Sequence, residues 1–288
     1  MAIKKVQPYV NSKNNGLLYL VGTPIGNLED ISLRAKEILA KADIIFAEDT
    51  RNTANLLHSL NITYKKLVSC FSYKEESVAN TYLEEIKNKN LLACFVSDAG
   101  NPGISDPGSL LLTKALSLDI NVSTILGPSA FLQALIMSGF DTADFTFYGF
   151  LPTKKQAKIA FLEKLINKKE TMLFYEAPHR LLETLEAFQE VFPKTKRLVL
   201  ARELTKLYEE YTYMNIGDIE DFKSSLIKGE YVIVLEGNQI EESNDDKYLE
   251  CANKLIKGGY SISEVSKILS TIYPIKKNYL YKLLTDKK

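Results

Sequence analysis

The chain has 288 residues, 36 basic and 36 acidic side chains and an apolar fraction of 45%, so its formal net charge is zero. That balance is ordinary for a soluble globular protein and argues against a disordered chain, a fibre, a membrane protein or a uniformly basic nucleic-acid binder. The length favours two ordinary domains over one.

The first 16 or so residues are polar, with no apolar run that reads as a signal peptide. Leu17–Val21 then reads as a buried strand feeding the Gly/Pro loop 22–27. Ile31, Ala35, Ile38, Leu39 and Ala42 recur at helical spacing, and Ile44–Ala47 is the next strand, ending in Glu48, Asp49, Thr50 and Arg51. A helix, a short strand near Leu67–Ser69 and a helix marked by Val78, Tyr82, Leu83 and Ile86 follow. The apolar run 91–96 opens onto a long loop, 97–108, rich in Gly, Pro, Asp and Ser. A strand at 122–126 ends in Gly127, Pro128, Ser129 and Ala130, before a buried helix. The stretch from Ile120 up to Asp141, free of charge until that aspartate, contains Asn121, Gly127, Pro128 and Gln133, and so reads as strand, turn and helix rather than a membrane span.

Continuous apolar strands separated by helices imply a parallel sheet covered on both faces, and in such sheets ligands bind at the strand carboxyl ends. After Gly139 the pattern restarts with strands at Phe145–Phe150, 171–175, 197–201 and 209–215, a helix at 157–166, and a last strand, 230–235, that closes the sheet. This is a second α/β unit with mixed strand directions. The expected domains are therefore 16–138 and 139–240, both α/β, followed by a polar linker and a small helical module at 245–288. In that module Ser261 and Glu264 form a capping box, Gly258 and Gly259 stop one helix and Pro274 stops another, a helix-turn-helix-like arrangement. It carries nine lysines against five acidic residues, so the zero net charge is a cancellation between a basic tail and an acidic body. The tail reads equally as a helical cap with a solvated lysine face or as a nucleic-acid contact.

Several chemistries are disfavoured by absence. No glycine fingerprint of a dinucleotide site, no P-loop, no H-E-x-x-H and no G-x-S-x-G elbow occurs, and the histidines are only His58 and His179. Cys70, Cys94 and Cys251 lack metal-site spacing and imply a reduced, cytoplasmic setting. What remains is a crevice of backbone-rich loops, suited to an adenosine-bearing cofactor held by main-chain groups. Asp98 and Asp106 in the long loop read either as site carboxylates or as Asx turns. Arginines are scarce, and Arg51, Arg180 and Arg202 fall at strand ends or the helix starts beside them, where a planar fork can meet an anion.

The segments 21–30, 47–51, 96–108, 127–130, 149–152, 174–181 and 201–206, in this order, resemble the ribosomal RNA small subunit methyltransferase I family, within the tetrapyrrole-methylase-like S-adenosylmethionine methyltransferases. The similarity runs from about Gly16 to Gly237, and the basic tail resembles an extension that some members carry. Ser72, Tyr73, Lys74, Glu75, Glu76 and Ser77 stand where the family usually shows a histidine-bearing segment, and Asn101 stands where threonine is commoner. The resemblance implies two α/β domains with S-adenosylmethionine in the cleft between them, 2′-O-methylation of a cytidine ribose in the decoding region of 16S rRNA within the 30S subunit, a homodimer, and chemistry without a metal. By motif position the expected cofactor residues are Pro24, Asp98, Ala99, Gly100, Ile104, Ser105, Ser129, Ala130, Tyr175, Glu176 and Ala201. Asp49 and His179 are the candidate proton acceptors, and Arg51, Arg180, Arg202, Lys276 and Lys277 the candidate RNA contacts. A small-molecule methyltransferase of the tetrapyrrole type and a non-catalytic RNA-binding protein are the alternatives.

Overall fold

The structure, a computed structural model, describes residues 15–222, 227–238, 244–273, 275 and 277–285. Most of the polar lead-in, the start of the expected linker, Pro274 and Lys276 lie outside the described residues. The chain divides into two compact units, Met1–Gly237 and Asn238–Lys288.

The larger unit begins with alternating strands and helices: β1 (Leu17–Val21), α1 (Leu33–Lys41), β2 (Ile44–Ala47), α2 (Thr50–Ser59), β3 (Leu67–Ser69), α3 (Glu75–Asn88), β4 (Leu92–Val96), α4 (Ser109–Ser117), β5 (Asn121–Ile125) and α5 (Ala130–Ser138). The five strands form a parallel sheet in the order β3-β2-β4-β1-β5. Successive strand side chains point to opposite faces, which is why the three inner strands β1, β2 and β4 are apolar throughout. Leu18, Leu20, Phe46 and Phe95 pack on one face with Leu83 and Ile86 of α3 and Leu111 of α4. Tyr19, Val21, Ile45 and Cys94 pack on the other with Leu39 of α1 and Leu57 of α2. Burial pushes the Cys94 thiol up, so this cysteine is a small apolar side chain in practice. The fifth strand begins one residue earlier than its apolar pattern suggests: Asn121 is drawn in by bonding Gly16 O at 3.2 Å, and Leu126 is left outside, 70% exposed.

The second half continues with β6 (Phe145–Phe150), α6 (Lys155–Glu163), β7 (Thr171–Glu176), α7 (Pro178–Val191), β8 (Arg197–Arg202), β9 (Glu210–Asn215), α8 (Ile219–Phe222) and β10 (Tyr231–Leu235). This sheet has the order β6-β7-β10-β8-β9; β6 and β7 are parallel and the other pairs antiparallel. The strand expected to close the sheet is inserted at its centre instead. Tyr231 to Leu235 are all buried, whereas Glu210–Asn215 has no fully buried residue and takes the edge. A run apolar on both faces belongs in the middle of a covered sheet.

Helix α5 joins the halves. It follows β5 of the first sheet, yet its Ala134 and Leu135 pack on Leu173, Val199 and Val234 of the second. On the opposite face of that sheet, Phe174 and Leu200 meet Leu185 and Phe188 of α7. Each fully buried side chain of this size contributes about 1.5–3 kcal/mol before ordering costs.

The smaller unit contains α9 (Asn244–Lys257), α10 (Ile262–Ile272) and α11 (Lys277–Thr285), with a core of Ala252, Val265, Leu269, Leu280 and Leu284. The capping box is formed: Ser261 N donates to Glu264 Oε2 at 2.8 Å, and Glu264 N donates to Ser261 Oγ at 3.3 Å. Gly259, at φ +96°, turns the chain between α9 and α10. No helix among the described residues is long and apolar enough to cross a membrane.

Candidate active site

Loops at the carboxyl ends of the first sheet are locked together mainly by main-chain contacts. Thr23, fully buried, exchanges two backbone hydrogen bonds with Gly100 (2.9 and 3.1 Å), and its hydroxyl donates to Ser97 O at 3.2 Å. Asn101 ties the loop after β4 to the loop after β5. Its Oδ1 accepts from Gly127 N at 2.8 Å, and its Nδ2 donates to the carbonyls of Gly127 (3.2 Å) and Pro128 (3.1 Å). Gly22 and Gly127 meet backbone to backbone: a Cβ on Gly22 would lie 2.3 Å from Gly127 N, so any side chain there wedges the loops apart. The segment 72–77 contains Glu75, whose buried Oε2 accepts from Leu110 N (3.1 Å) and Leu111 N (3.0 Å). There it caps the first turn of α4, directly after the long loop.

Loops on the second sheet are held by charge. Glu176, at the end of β7, is 2% exposed. Its Oε1 accepts from Ala177 N at 2.9 Å and faces Arg180 Nε at 3.3 Å, while its Oε2 accepts from Thr184 Oγ1 at 2.5 Å. Lys158, fully buried, donates to Thr184 Oγ1 at 2.9 Å and faces Glu183 at 3.4 Å. Arg180 also donates from Nη2 to Leu151 O at 2.7 Å. This network fixes the turn from β7 into α7.

A cavity of about 460 Å³ lies between the two sets of loops. Of the residues singled out in the sequence, it gathers Ala99, Gly100, Ile104, Ser105, Ser129 and Ala130 from the first half, and Tyr175, Glu176 and His179 from the second. The wall also includes Asp106, one of the two loop carboxylates read as either a site group or a turn residue, and Asn101, Phe150, Glu230 and Tyr231, which sequence reading did not place there. Phe150 lies in a segment that carries the family resemblance; Glu230 and Tyr231 become visible only once β10 is known to be central. Burial raises the Tyr175 hydroxyl to about 12, keeping it a neutral hydroxyl. Asp106 is half-buried, and burial followed by the negative charges of Glu48 and Asp98 pushes its carboxyl up to about 6.

Other expected residues sit elsewhere. Asp98 turns toward the β2 loop, accepting from Asp49 N (3.2 Å) and Asn52 Nδ2 (2.9 Å). Pro24 is off the wall, and Ala201 is buried in the apolar layer beneath α5. Asp49 is also off the wall: it caps α2 and takes both prongs of the Arg51 fork, Nε at 3.1 Å and Nη2 at 2.6 Å. Hydrogen bonds from the Arg51 side chain and main chain hold that carboxyl down to about 2, which makes it a poor proton acceptor. Arg202 donates from Nε to Lys228 O at 2.7 Å and lies 3.6 Å from Glu210. Arg180 and Arg202 therefore use donors inside the chain, while Arg51 stays exposed beside Asp49. Lys277 is exposed at the start of α11, in the smaller unit.

A parallel sheet and a mixed sheet with a backbone-walled cavity between their loops define a methyltransferase of the tetrapyrrole methylase class. The family model described as Tetrapyrrole (Corrin/Porphyrin) Methylases matches residues 17–220. The fold is shared with a uroporphyrin-III C-methyltransferase from Thermus thermophilus (TM-score 0.55, 17% identity, 77% of this chain and 94% of that one). It is also shared with a cobalt precorrin-4 methyltransferase (TM-score 0.55, 15% identity, 76% and 94%). Among curated sequences, the ribosomal RNA small subunit methyltransferase I of Haemophilus influenzae is 37% identical over 271 residues, covering 92% of this chain and 95% of that one. That of Bacillus subtilis is 40% identical over 246 residues, covering 85% and 83%, and that of Halalkalibacterium halodurans is 36% identical over 288 residues, covering 98% and 99%. This chain belongs to the ribosomal RNA small subunit methyltransferase I family.

Proposed function

We propose that this protein transfers the methyl group of S-adenosylmethionine to the ribose 2′-oxygen of a cytidine in the decoding region of 16S rRNA, acting on the 30S subunit. The observation that carries this reading is the cavity, considered together with the names of the relatives. Its volume is of the size that small-molecule cofactors occupy. Apolar wall residues such as Ile25, Leu204 and Val232 suit an adenine ring, and the carboxylates of Glu176 and Glu230 suit a donor bearing an ammonium and a sulfonium. The main chain of Ala99–Gly100, Ile104–Ser105 and Ser129–Ala130 and the side chain of Tyr175 would hold it, and when bound it supplies an electrophilic methyl carbon. The chain's own task is to position a hydroxyl against that carbon, keep bulk water out and accept a proton.

Exposed Arg51 and the basic smaller unit, Lys277 included, support an RNA substrate whose affinity falls with salt. Ile136, 71% exposed on α5, stands beside Leu132 and Met137 in an apolar patch that supports a homodimer through this helix. Incubation with methyl-labelled S-adenosylmethionine and, in parallel, 30S subunits, free 16S rRNA or a tetrapyrrole precursor tests the assignment. The expected product is 2′-O-methylcytidine recovered from 30S subunits. Label appearing only in the tetrapyrrole overturns the reading.

A further inference from the structure

We propose that Asp106 is the proton acceptor of this cavity, the group that takes the proton of the attacking hydroxyl; the inference rests on the functional reading above. Among the carboxylates of the wall, Asp106 alone shows neither oxygen engaged by another described residue. Both oxygens of Glu176 are taken by Ala177, Arg180 and Thr184, and Glu230 accepts from Lys206 Nζ at 2.9 Å. Asp106 accepts no side-chain hydrogen bond among the described residues, so its carboxylate does not serve the Asx turn that an Asp-Pro-Gly sequence ordinarily makes.

The backbone shows how the residue is held. Ser105 sits at φ +65°, a left-handed conformation that a non-glycine residue keeps only under constraint. Pro107 restricts Asp106 to extended geometry, and Gly103 N closes the loop onto Pro107 O at 3.0 Å. A short closed loop thus presents one half-buried carboxyl to the cavity.

The groups around it set its basicity. Glu48 from the end of β2 and Asp98 from the end of β4 add negative charge. Tyr175 and Glu176 from β7, His179 from α7 and Glu230 ahead of β10 share the wall. Arg51 and Arg180 are engaged elsewhere, by Asp49 and by Glu176. An acid with raised proton affinity is the better general base near neutral pH. In the transfer, the bond from ribose oxygen to methyl carbon forms as the carbon–sulfur bond breaks, and the electron pair of that bond stays on sulfur. The hydroxyl proton passes to the Asp106 carboxylate and leaves to water after product release.

The test compares wild type, Asp106→Asn and Asp106→Glu on 30S subunits, with folding checked by circular dichroism. Asp106→Asn should lower kcat roughly 10²–10⁴-fold. Its affinity for S-adenosylhomocysteine, read by calorimetry, should stay within about threefold of wild type. In wild type, kcat should climb with pH through an acid limb near 6 and then level; Asp106→Asn should show no such limb, and Asp106→Glu should retain it. A ¹³C-carboxyl titration of the free protein should show one resonance moving near pH 6 that is missing from Asp106→Asn. Wild-type kcat in Asp106→Asn, or an unchanged acid limb, overturns the inference. So does a defect confined to ligand affinity, which would make Asp106 a contact for the donor's cation. A wild-type protein that leaves ribose unmethylated fails at the functional reading instead, and is distinguished from these outcomes by that control.

Discussion

The two rims of the cavity are built on different physical principles. On the first sheet, Thr23, Gly100, Asn101 and Gly127 hold the loops with neutral hydrogen bonds and close backbone contact. On the second, Lys158, Thr184, Glu176 and Arg180 hold one turn with buried charge. A neutral bond lost from a buried site costs about the desolvation of the orphaned group. A buried ion pair adds little net stability while intact, yet breaking it strands an uncompensated charge. The charged rim should therefore be the more brittle and the neutral rim the more forgiving.

The largest expected effect is on the charged side. Glu176→Gln leaves the guanidinium of Arg180 without its carboxylate and should lower stability by about 3–5 kcal/mol, read from the urea midpoint. Lys158→Met is the informative partner: it removes a fully buried cation together with its desolvation, while Glu176 keeps Arg180. That variant should be destabilised by less than about 1.5 kcal/mol. Equal losses in the two would contradict the assignment of Glu176 as the centre of the network.

On the neutral side, Asn101→Ala deprives Gly127 N of its acceptor and two carbonyls of a donor, and about 1–3 kcal/mol should be lost. Because Asn101 joins two loops that both line the cavity, the affinity for S-adenosylhomocysteine should fall as well. A stability loss with unchanged affinity would mean that the staple supports the fold without shaping the wall.

Between the rims, Asp106→Asn should stabilise. Its folded pKa, about 6, lies above the ordinary 3.8, so the folded chain holds the proton more tightly than the unfolded chain between those values. Stability therefore falls as pH rises through this window, and the penalty of the ionised carboxyl is fully present above it. The group is half exposed, which discounts the effect to about 1–2 kcal/mol. The variant should melt above wild type at pH 7.5, and the advantage should fade by pH 4.

The contrast between the rims also marks how far the sequence could be read. Apolar runs such as Leu17–Val21 and Ile44–Ala47 announce buried parallel strands because both faces must be covered, while nine wall residues were reached through the segments that carry the family resemblance. Glu176 could be found in the same way. The link from its partner Thr184 on to Lys158 could not, since those two come from helices that meet only through tertiary packing. The central place of Tyr231–Leu235 escaped for a related reason: local pattern fixes that a strand forms, but its order in a sheet depends on distant partners. Asp106 was legible as either a site carboxylate or a turn residue, and the loop closed around it leaves its carboxylate free. Asp49 attracted attention through its neighbour Arg51, and that same pairing takes away its basicity.

The smallest expected effect is at Arg51, where the comparison reaches the protein surface. Its guanidinium grips Asp49 with ideal fork geometry, but the side chain is 86% exposed, so solvent screens the pair. Asp49 also caps α2 through Arg51 N at 2.8 Å, a bond that survives truncation of the arginine side chain. Arg51→Ala should thus leave the urea midpoint close to that of wild type, while Asp49→Ala, which removes cap and pair together, should lower it further. If Arg51 also contacts an RNA phosphate, Arg51→Ala should weaken binding to 30S subunits and shrink the salt dependence of that binding by about one counterion. Binding with an unaltered salt slope would confine Arg51 to the surface pair with Asp49.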